Sequence, residues 1–381
     1  MAFRFLHTAD WHIGKSFGGF PAEKRALLGD ARMSAIDRIA DIARLSEIGH
    51  VLVAGDIFDS PRLADSVIRQ VMHRLSQARD IKWIMLPGNH DPAIDRGIWD
   101  RVEELGRPPN VTPCKSADAI SLEQDVVLFT APVTSARTMQ DPTSHFGERH
   151  TQDGSIRIGL AHGSVQQFGS GNEEEASVLI AADRAERDRL DYLALGDWHG
   201  QKTITSRTSY SGTPEPESFV DNEPGFVLSV SVDGPGAIPK VERRLTGQFS
   251  WSRKEYEFGA LASPEALLDE LHSIRDNGLR NLLRIKLAGE LPLDDAVRLR
   301  GQLDALADVI FYMEANWENV DMTVSSADQD LFVDDRLAAL AERLQAEHGN
   351  PVGADDNVRR RALQILARFA AASRDRSTYV D

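Results

Sequence analysis

A single cysteine, Cys114, stands in a chain of 381 residues. One thiol cannot close an intrachain disulfide or supply a cysteine-based zinc cluster, and a reducing cytoplasm is the expected compartment. No apolar run approaches the roughly 18 residues that a membrane span needs, and residues 1–12 lack the charged-then-apolar pattern of a signal peptide. Membrane insertion and secretion are therefore not expected. Basic charge is scarce: 43 Lys and Arg face 59 Asp and Glu, a net charge of −16. Such a chain is a poor non-specific polyanion binder, so action on nucleic acid needs something local: a metal centre, a basic patch or a partner subunit. Low-complexity tracts and internal repeats are missing too. With 41% hydrophobic residues the chain can bury a sizeable core, in two domains or in one with an appendage.

The first two-thirds alternates strand and helix signals. Residues 3–9, 51–54 and 81–86 read as strands, with helical spacing from Pro21 to a stop at Gly49 and again over 63–78. That rhythm predicts parallel strands with helical crossovers. Strands follow at 120–122, 126–130, 156–160 and 192–195, with a helix over 183–190 and a polar loop over 134–154. A hairpin is expected from 226–232 and 240–245 around Asp233-Gly234-Pro235-Gly236. Near residue 250 a compact strand–helix–strand–helix–strand module begins, with elements at 254–258, 264–274, 281–287, 294–306 and 309–313. Two helices, 334–347 and 355–372, close the chain.

Five short motifs fall at the ends of predicted strands: Asp10-Trp11-His12, Gly55-Asp56-Ile57-Phe58-Asp59, Gly88-Asn89-His90-Asp91, Gly159-Leu160-Ala161-His162 and Gly196-Asp197-Trp198-His199. Taken singly, each has an ordinary reading as turn chemistry, a solvated loop or a satisfied histidine. Their joint placement does not, because ligand sites in open α/β sheets collect beyond the carboxyl ends of the strands. Carboxylates, imidazoles and an amide suit two hard-to-borderline divalent cations sharing a bridging carboxylate. A pair about 4 Å apart lowers the pKa of a bridging water and clamps both oxygens of an in-line displacement at phosphorus. Gly14-Lys15-Ser16 does not complete a phosphate-binding P-loop, since Ala9 occupies the required upstream glycine position.

In this order and these contexts the five motifs resemble the calcineurin-like metallophosphoesterases. Within them, residues 6–14 (LHTADWHIG) and Ser211-Gly212-Thr213-Pro214-Glu215 are similar to the SbcD-type DNA-repair nucleases. The resemblance implies an α/β/β/α sandwich of two mixed sheets over residues 1–250. A small α+β cap follows over 251–320, and a C-terminal helical segment over 321–381. It implies Asp10, His12 and His199 on one metal, Asn89, His162 and Asp197 on the other, and Asp56 bridging. His90 would contact the phosphate and protonate or stabilise the leaving oxygen. Asp59 and Asp91 are candidates to orient the ligands, with turn-forming Asp as the other reading. The implied function is a Mn²⁺-dependent DNA nuclease acting in repair or processing, in which a hydroxide activated by two metals hydrolyses the phosphodiester. The implied partners are DNA, an SMC-like ATPase of the SbcC type and a second copy of the chain as a homodimer.

The family usually has His where this chain has Asp197. Two divalent ions give +4; three carboxylates and a hydroxide give −4. The centre is then formally neutral, where the usual His would leave +1, so hard metals such as Mn²⁺ should be held more tightly and the phosphate more weakly. In the tail, Arg359-Arg360-Arg361 precedes Ala362, Ile365, Leu366 and Phe369, which with Val358 lie on one helix face that either packs on its own domain or docks a partner. Two further readings stay open: a phosphoesterase acting on a small phosphoester, which the net charge favours, and a weakly active scaffold subunit of an ATPase complex, which Asp197 favours.

Overall fold

The structure is a computed structural model that describes residues 2–135, 141–149, 151–152, 154–165, 179–259, 263–276, 280–324, 335–346 and 356–377. It divides into two compact units, Met1–Pro216 with Asn222–Gln248, and Glu217–Asp221 with Phe249–Asp381.

In the first unit β1 (Phe3–Thr8), β2 (His50–Ala54), β3 (Lys82–Leu86) and β4 (Val111–Pro113) run parallel. The antiparallel hairpin of β13 (Phe226–Val232) and β14 (Lys240–Leu245) joins the free edge of β1. The second sheet has the order β11-β12-β10-β7-β6-β5. Here β5 (Asp118–Glu123) is antiparallel to β6 (Val126–Ala131), and β11 (Lys202–Thr205) to β12 (Thr208–Tyr210). Between them β6, β7 (Ile156–His162), β10 (Tyr192–Gly196) and β12 are parallel. A small pair, β8 (Ser164–Val165) and β9 (Leu179–Ile180), stands apart.

Two mixed six-stranded sheets thus face one another, and the period of two along each strand builds both of their covers. Phe5, Leu52, Ala54 and Ile84 point to the core shared with Leu128, Ile158, Leu160 and Ala194 of the second sheet. Leu6, Val51, Val53, Trp83 and Met85 point to the opposite cover of α1 (Ala22–Leu45), α2 (Asp65–Gln77) and α3 (Ile98–Glu104). Buried on both faces, the central strands read as unbroken apolar runs.

Some element ends differ from expectation. α1 stops at Leu45, four residues before Gly49. Glu47 takes the left-handed conformation (φ 54°) while Ile48 N–H donates to Ala43 C=O at 2.8 Å and Glu47 N–H to Arg44 C=O at 3.0 Å. This is a helix-closing motif built without glycine. The same device at Arg189 (φ 55°) reduces the helix expected over 183–190 to α4 (Arg184–Arg187). Inside the loop expected over 134–154, Phe146–Glu148 forms a 3₁₀ turn that buries Phe146; residues 136–140, 150 and 153 lie outside the described residues.

The second unit holds a parallel three-stranded sheet, β15 (Phe249–Phe258), β16 (Arg280–Pro292) and β17 (Tyr312–Thr323). Its crossovers are α5 (Pro264–Arg275) and α6 (Leu293–Val309). β17 begins three residues later than the expected Val309, because α6 stays helical through that residue. The closing helices are α7 (Asp335–Ala346) and α8 (Asp356–Ser377). Leu344, Leu363, Leu366 and Ala367 enter the hydrophobic cluster of Leu283, Ile285, Leu299 and Leu303, so one face of α8 packs on its own unit. Leu366 lies on that face, whereas Val358, Ile365 and Phe369 are exposed. Among the described residues no helix is long and apolar enough to cross a membrane.

His7 on β1 is fully buried. Its Nε2–H donates to Leu195 C=O at 3.1 Å, and its Nδ1 accepts from the Tyr192 hydroxyl at 3.0 Å. Burial, opposed by the Leu195 bond, pushes its pKa down from 6.5 to about 3. Below the unfolded value the unfolded chain takes up a proton that the folded chain refuses. The stabilisation is therefore complete above pH 6.5 and is lost progressively as the pH falls towards 3, at about 1.4 kcal/mol per pH unit. Urea unfolding of wild type and His7→Gln at pH 7 and pH 5 should show wild type losing about 2 kcal/mol more than the variant. Parallel losses would remove His7 as the source.

Candidate metal centre

β1, β2, β3, β7 and β10 each end in one of the five motifs. Parallel pairing sets β1, β2 and β3 in one register and β7 and β10 in another, so each sheet delivers its motifs at one edge. The structure brings together every site residue expected from the sequence. Asp10, His12 and His199 place one donor atom each within 4.8 Å of one another. So do Asp10, Asp56 and His162, and so do His12, Asp56 and His90. Asp56 Oδ2 is 3.5 Å from His162 Nε2 and 3.7 Å from His12 Nε2, placing Asp56 between the groups. Asn89 Oδ1 accepts from His162 Nε2 at 2.7 Å. Asp197 Oδ1 lies 3.9 Å from the same nitrogen, and its Oδ2 accepts from the Ser164 hydroxyl at 2.5 Å.

The backbone is strained where the chemistry converges. Of nine non-glycine residues with positive φ among the described residues, four are Asp10, His12, Asp56 and Asp197. Such conformations cost of order 1 kcal/mol or more each and persist only where the surroundings over-determine them. Here Asp10 N–H donates to Gly55 C=O and His12 N–H to Asp56 C=O, both at 3.0 Å, which zips the first loop to the second. Asp197 N–H in turn donates to Asp10 Oδ1 at 3.1 Å.

Asp59 and Asp91 differ in what they touch. Asp59 Oδ1 is 3.3 Å from His12 Nδ1, and Asp59 C=O accepts from His90 Nδ1 at 2.9 Å. That bond fixes the His90 tautomer and leaves Nε2 for proton transfer. Asp91 is fully buried and accepts from three backbone N–H groups, Gly88 at 2.7 Å, Ile57 at 2.9 Å and Phe58 at 3.1 Å. It ties the loop after β2 to the loop after β3.

Charge in the site is unbalanced. Burial raises the Asp10 carboxyl above the ordinary range, with His199 opposing. Burial acts the same way on Asp56, but His162, His12 and His90 carry it below that range. Burial alone would lower His162, yet Asp56, Asp10 and Asp197 hold it well above the usual imidazole value. His12 is buried, and its Nε2 has no hydrogen-bond partner. An orphaned imidazole nitrogen among carboxylate oxygens, in a donor set without thiols, fits divalent cations of hard-to-borderline character.

Sequence reasoning missed three supports. Ser164 carries no motif signal. Arg32 lies within the apolar stripe of α1, between Leu28 and Ile36, and a charge at a core position is the mark that could have disclosed it. The glycines of the motifs are the third. A Cβ on Gly88 would meet Asp56 Oδ1 at 2.1 Å and the Asp56 backbone N at 2.5 Å, and one on Gly55 (φ 93°) would meet His162 Nδ1 at 2.1 Å.

The sequence profile described as calcineurin-like phosphoesterase matches residues 3–201. The SbcD subunit of the nuclease SbcCD from Bacillus subtilis (strain 168) is 26% identical over 334 residues, 78% of this chain and 82% of that protein. The protein of the same name from Rhodobacter capsulatus is 35% identical over 56% of this chain and 62% of its own length. That from Escherichia coli (strain K12) is 23% identical over 57% and 61%. The chain therefore spans less than two thirds of the last two relatives. Among solved structures, the crystal structure of TT1561 of Thermus thermophilus aligns with 65% of this chain and 100% of its own at 10% identity, TM-score 0.42.

The Gly88 contact yields a test. Gly88→Ala must displace the Asp56 backbone, so Mn²⁺ affinity measured by titration calorimetry should fall roughly 10-fold or more, the range seen when ligand supports are lost. Wild-type affinity in this variant would show that the loop yields without moving Asp56.

Proposed function

Since the chain belongs to the calcineurin-like phosphoesterase family, we propose that this metal-dependent phosphodiesterase is a Mn²⁺-dependent DNA nuclease of repair or processing. The observation that carries the reading is the convergence of five strand ends on Asp56, with the unpartnered Nε2 of buried His12 beside it. The relatives named as nuclease subunits support DNA as the substrate class.

In this reading Asp10, His12 and His199 would hold one divalent ion and Asn89, His162 and Asp197 the other, with Asp56 available to both. When bound, the ions supply Lewis acidity and a lowered pKa for water at phosphorus. The chain's own residues do the rest. His90 keeps Nδ1–H on Asp59 C=O and holds a proton at Nε2 for the departing oxygen. Asp59 sets the His12 ring, and Ser164 sets the Asp197 carboxylate. Asp91 fixes the loops that carry Asp56 and Asn89. Asp197, in place of the family's usual His, adds negative charge and favours Mn²⁺ over softer ions.

An SMC-like ATPase of the SbcC type is the proposed partner, with a homodimer through the first unit and action in the cytoplasm. Residues 251–320 act as the cap, and 321–381 as the docking segment. Two observations support the partner. The net charge of −16 leaves DNA holding to another subunit. On α8, Val358, Ile365 and Phe369 are exposed beside Arg361 and Arg368, while the opposite face is packed.

The deciding assay is Mn²⁺-dependent cleavage of end-labelled linear DNA beside bis-p-nitrophenyl phosphate. Wild type should cleave both, and His90→Ala should lose at least about 100-fold, the lower bound for a positioned general acid. Cleavage of the diester alone would move the substrate to a small phosphoester, the reading that the acidic net charge favours, or to DNA held only with the partner. A second test is Asp197→His, which should shift the ratio of Mn²⁺ to Zn²⁺ affinity towards zinc. An unchanged ratio and unchanged activity would refute the charge argument.

A further inference from the structure

The turn Ser211-Gly212-Thr213-Pro214-Glu215 is almost wholly buried, and Thr213 N–H donates to His199 C=O at 2.9 Å. Its partner is Arg32, 2% exposed, whose guanidinium spends its donors on backbone oxygens of two segments. Nε donates to Trp11 C=O at 2.9 Å and Nη2 to Asp10 C=O at 3.2 Å. Nη1 donates to Glu215 C=O at 2.9 Å, and Nη2 also to Thr213 Oγ1 at 3.2 Å. Thr213 Oγ1–H closes the ring on Glu215 C=O at 2.9 Å.

Glu215 extends the clamp. Its buried carboxylate pairs with Arg38 Nη2 at 2.5 Å and accepts from Gln248 N–H at 3.0 and 3.1 Å. Thr246 adds Oγ1–H to Pro214 C=O at 2.7 Å, and its own C=O accepts from Arg38 Nε at 2.5 Å. Pro216 and Gln248 are the residues at which the chain leaves the first unit. One guanidinium and one carboxylate thus bind both exits and the strained backbone of Asp10 into a single network.

We infer that Arg32 and Glu215 are positioning residues for the metal centre: they hold the left-handed Asp10 backbone so that its carboxylate faces its neighbours. The argument is geometric. Asp10 has φ 53°, and a non-glycine residue stays there only when fixed from outside. Its N–H is fixed by Gly55 and its C=O by Arg32, so the peptide groups on both sides are pinned. Lysine cannot replace Arg32, because a point-like ammonium cannot reach carbonyls on both segments in the plane of the fork. The inference rests on the reading of Asp10 as a metal ligand.

The test uses the full chain, with MnCl₂ as probe, titration calorimetry and Mn²⁺ electron paramagnetic resonance as readouts, and thermal melts as the control for folding. Arg32→Lys should weaken at least one Mn²⁺ site roughly 10-fold and alter the resonance spectrum at temperatures where the melt shows a folded protein. Glu215→Gln keeps the Glu215 carbonyl but loses the Arg38 charge pair, and should give a smaller loss of a few-fold. Added guanidinium should restore affinity in part to Arg32→Ala. If the two fold-competent variants melt lower yet bind Mn²⁺ with wild-type affinity and spectrum, the clamp is structural only and the inference fails. Should Arg32→Lys not fold, the Glu215→Gln result decides alone. Wild type that binds no Mn²⁺ overturns the metal-centre reading itself, and the inference with it.

Discussion

Asp10 and Asp56 bury their carboxylates almost completely within one small volume. Taking an ion out of water costs several kcal/mol unless opposite charge and hydrogen bonds replace the solvent. The chain supplies part of the replacement: N–H groups of Asp197 and His90, and the imidazoles of His12 and His162. The remainder is left open at His12 Nε2. Like charges held this close, with imidazoles among them, fit divalent cations. Most other features of the first unit act to keep those charges in place.

The loops answer that constraint through strain and anchorage together. Four acidic and imidazole residues adopt backbone of positive φ, and hydrogen bonds between neighbouring loops pin them there. Asp91 and Arg32 both support this arrangement and use opposite chemistry. One is a carboxylate collecting N–H groups; the other is a guanidinium collecting carbonyls. Both are buried, and both have nearly all their hydrogen-bonding capacity on backbone, which makes them supports for the site and not donors within it. Parallel strands provide the stiffness, since each motif lies at or just beyond the carboxyl end of a paired strand.

This division explains what the sequence discloses. The donors were legible because a strand end is visible as an apolar run followed by a polar triplet, and five such ends with Asp, His or Asn imply a common edge. The helix-closing positions were not legible. Glu47 and Arg189 take a conformation that sequence reasoning assigns to glycine, and backbone hydrogen bonds hold them there. Ser164, Arg32 and the close approach of Gly88 to Asp56 were hidden for another reason. Each is a contact between segments more than twenty residues apart, and no local period encodes it. The beginning of β17 was misplaced because Val309 and Ile310 fit a strand as well as a helix end, and α6 settles the matter by burying Leu306 and continuing for one more turn.

Asp197 shows how one substitution is absorbed by this scaffold. Its backbone N–H serves Asp10 whatever side chain it bears, so the loop geometry does not depend on imidazole there. Its carboxylate is only partly buried, and the Ser164 hydroxyl satisfies one oxygen. The other oxygen lies within reach of His162, on the side where charge is already in excess. A carboxylate at this point therefore costs little in folding but adds to the negative charge that a cation must neutralise. The same sign runs through the whole molecule, whose acidic excess repels a polyanion at long range. A molecule of this acidic charge does not concentrate DNA by its own field. If DNA is the substrate, its capture must fall to groups outside the first unit, and the centre is left to do what its geometry favours: orient one phosphate and release one oxygen.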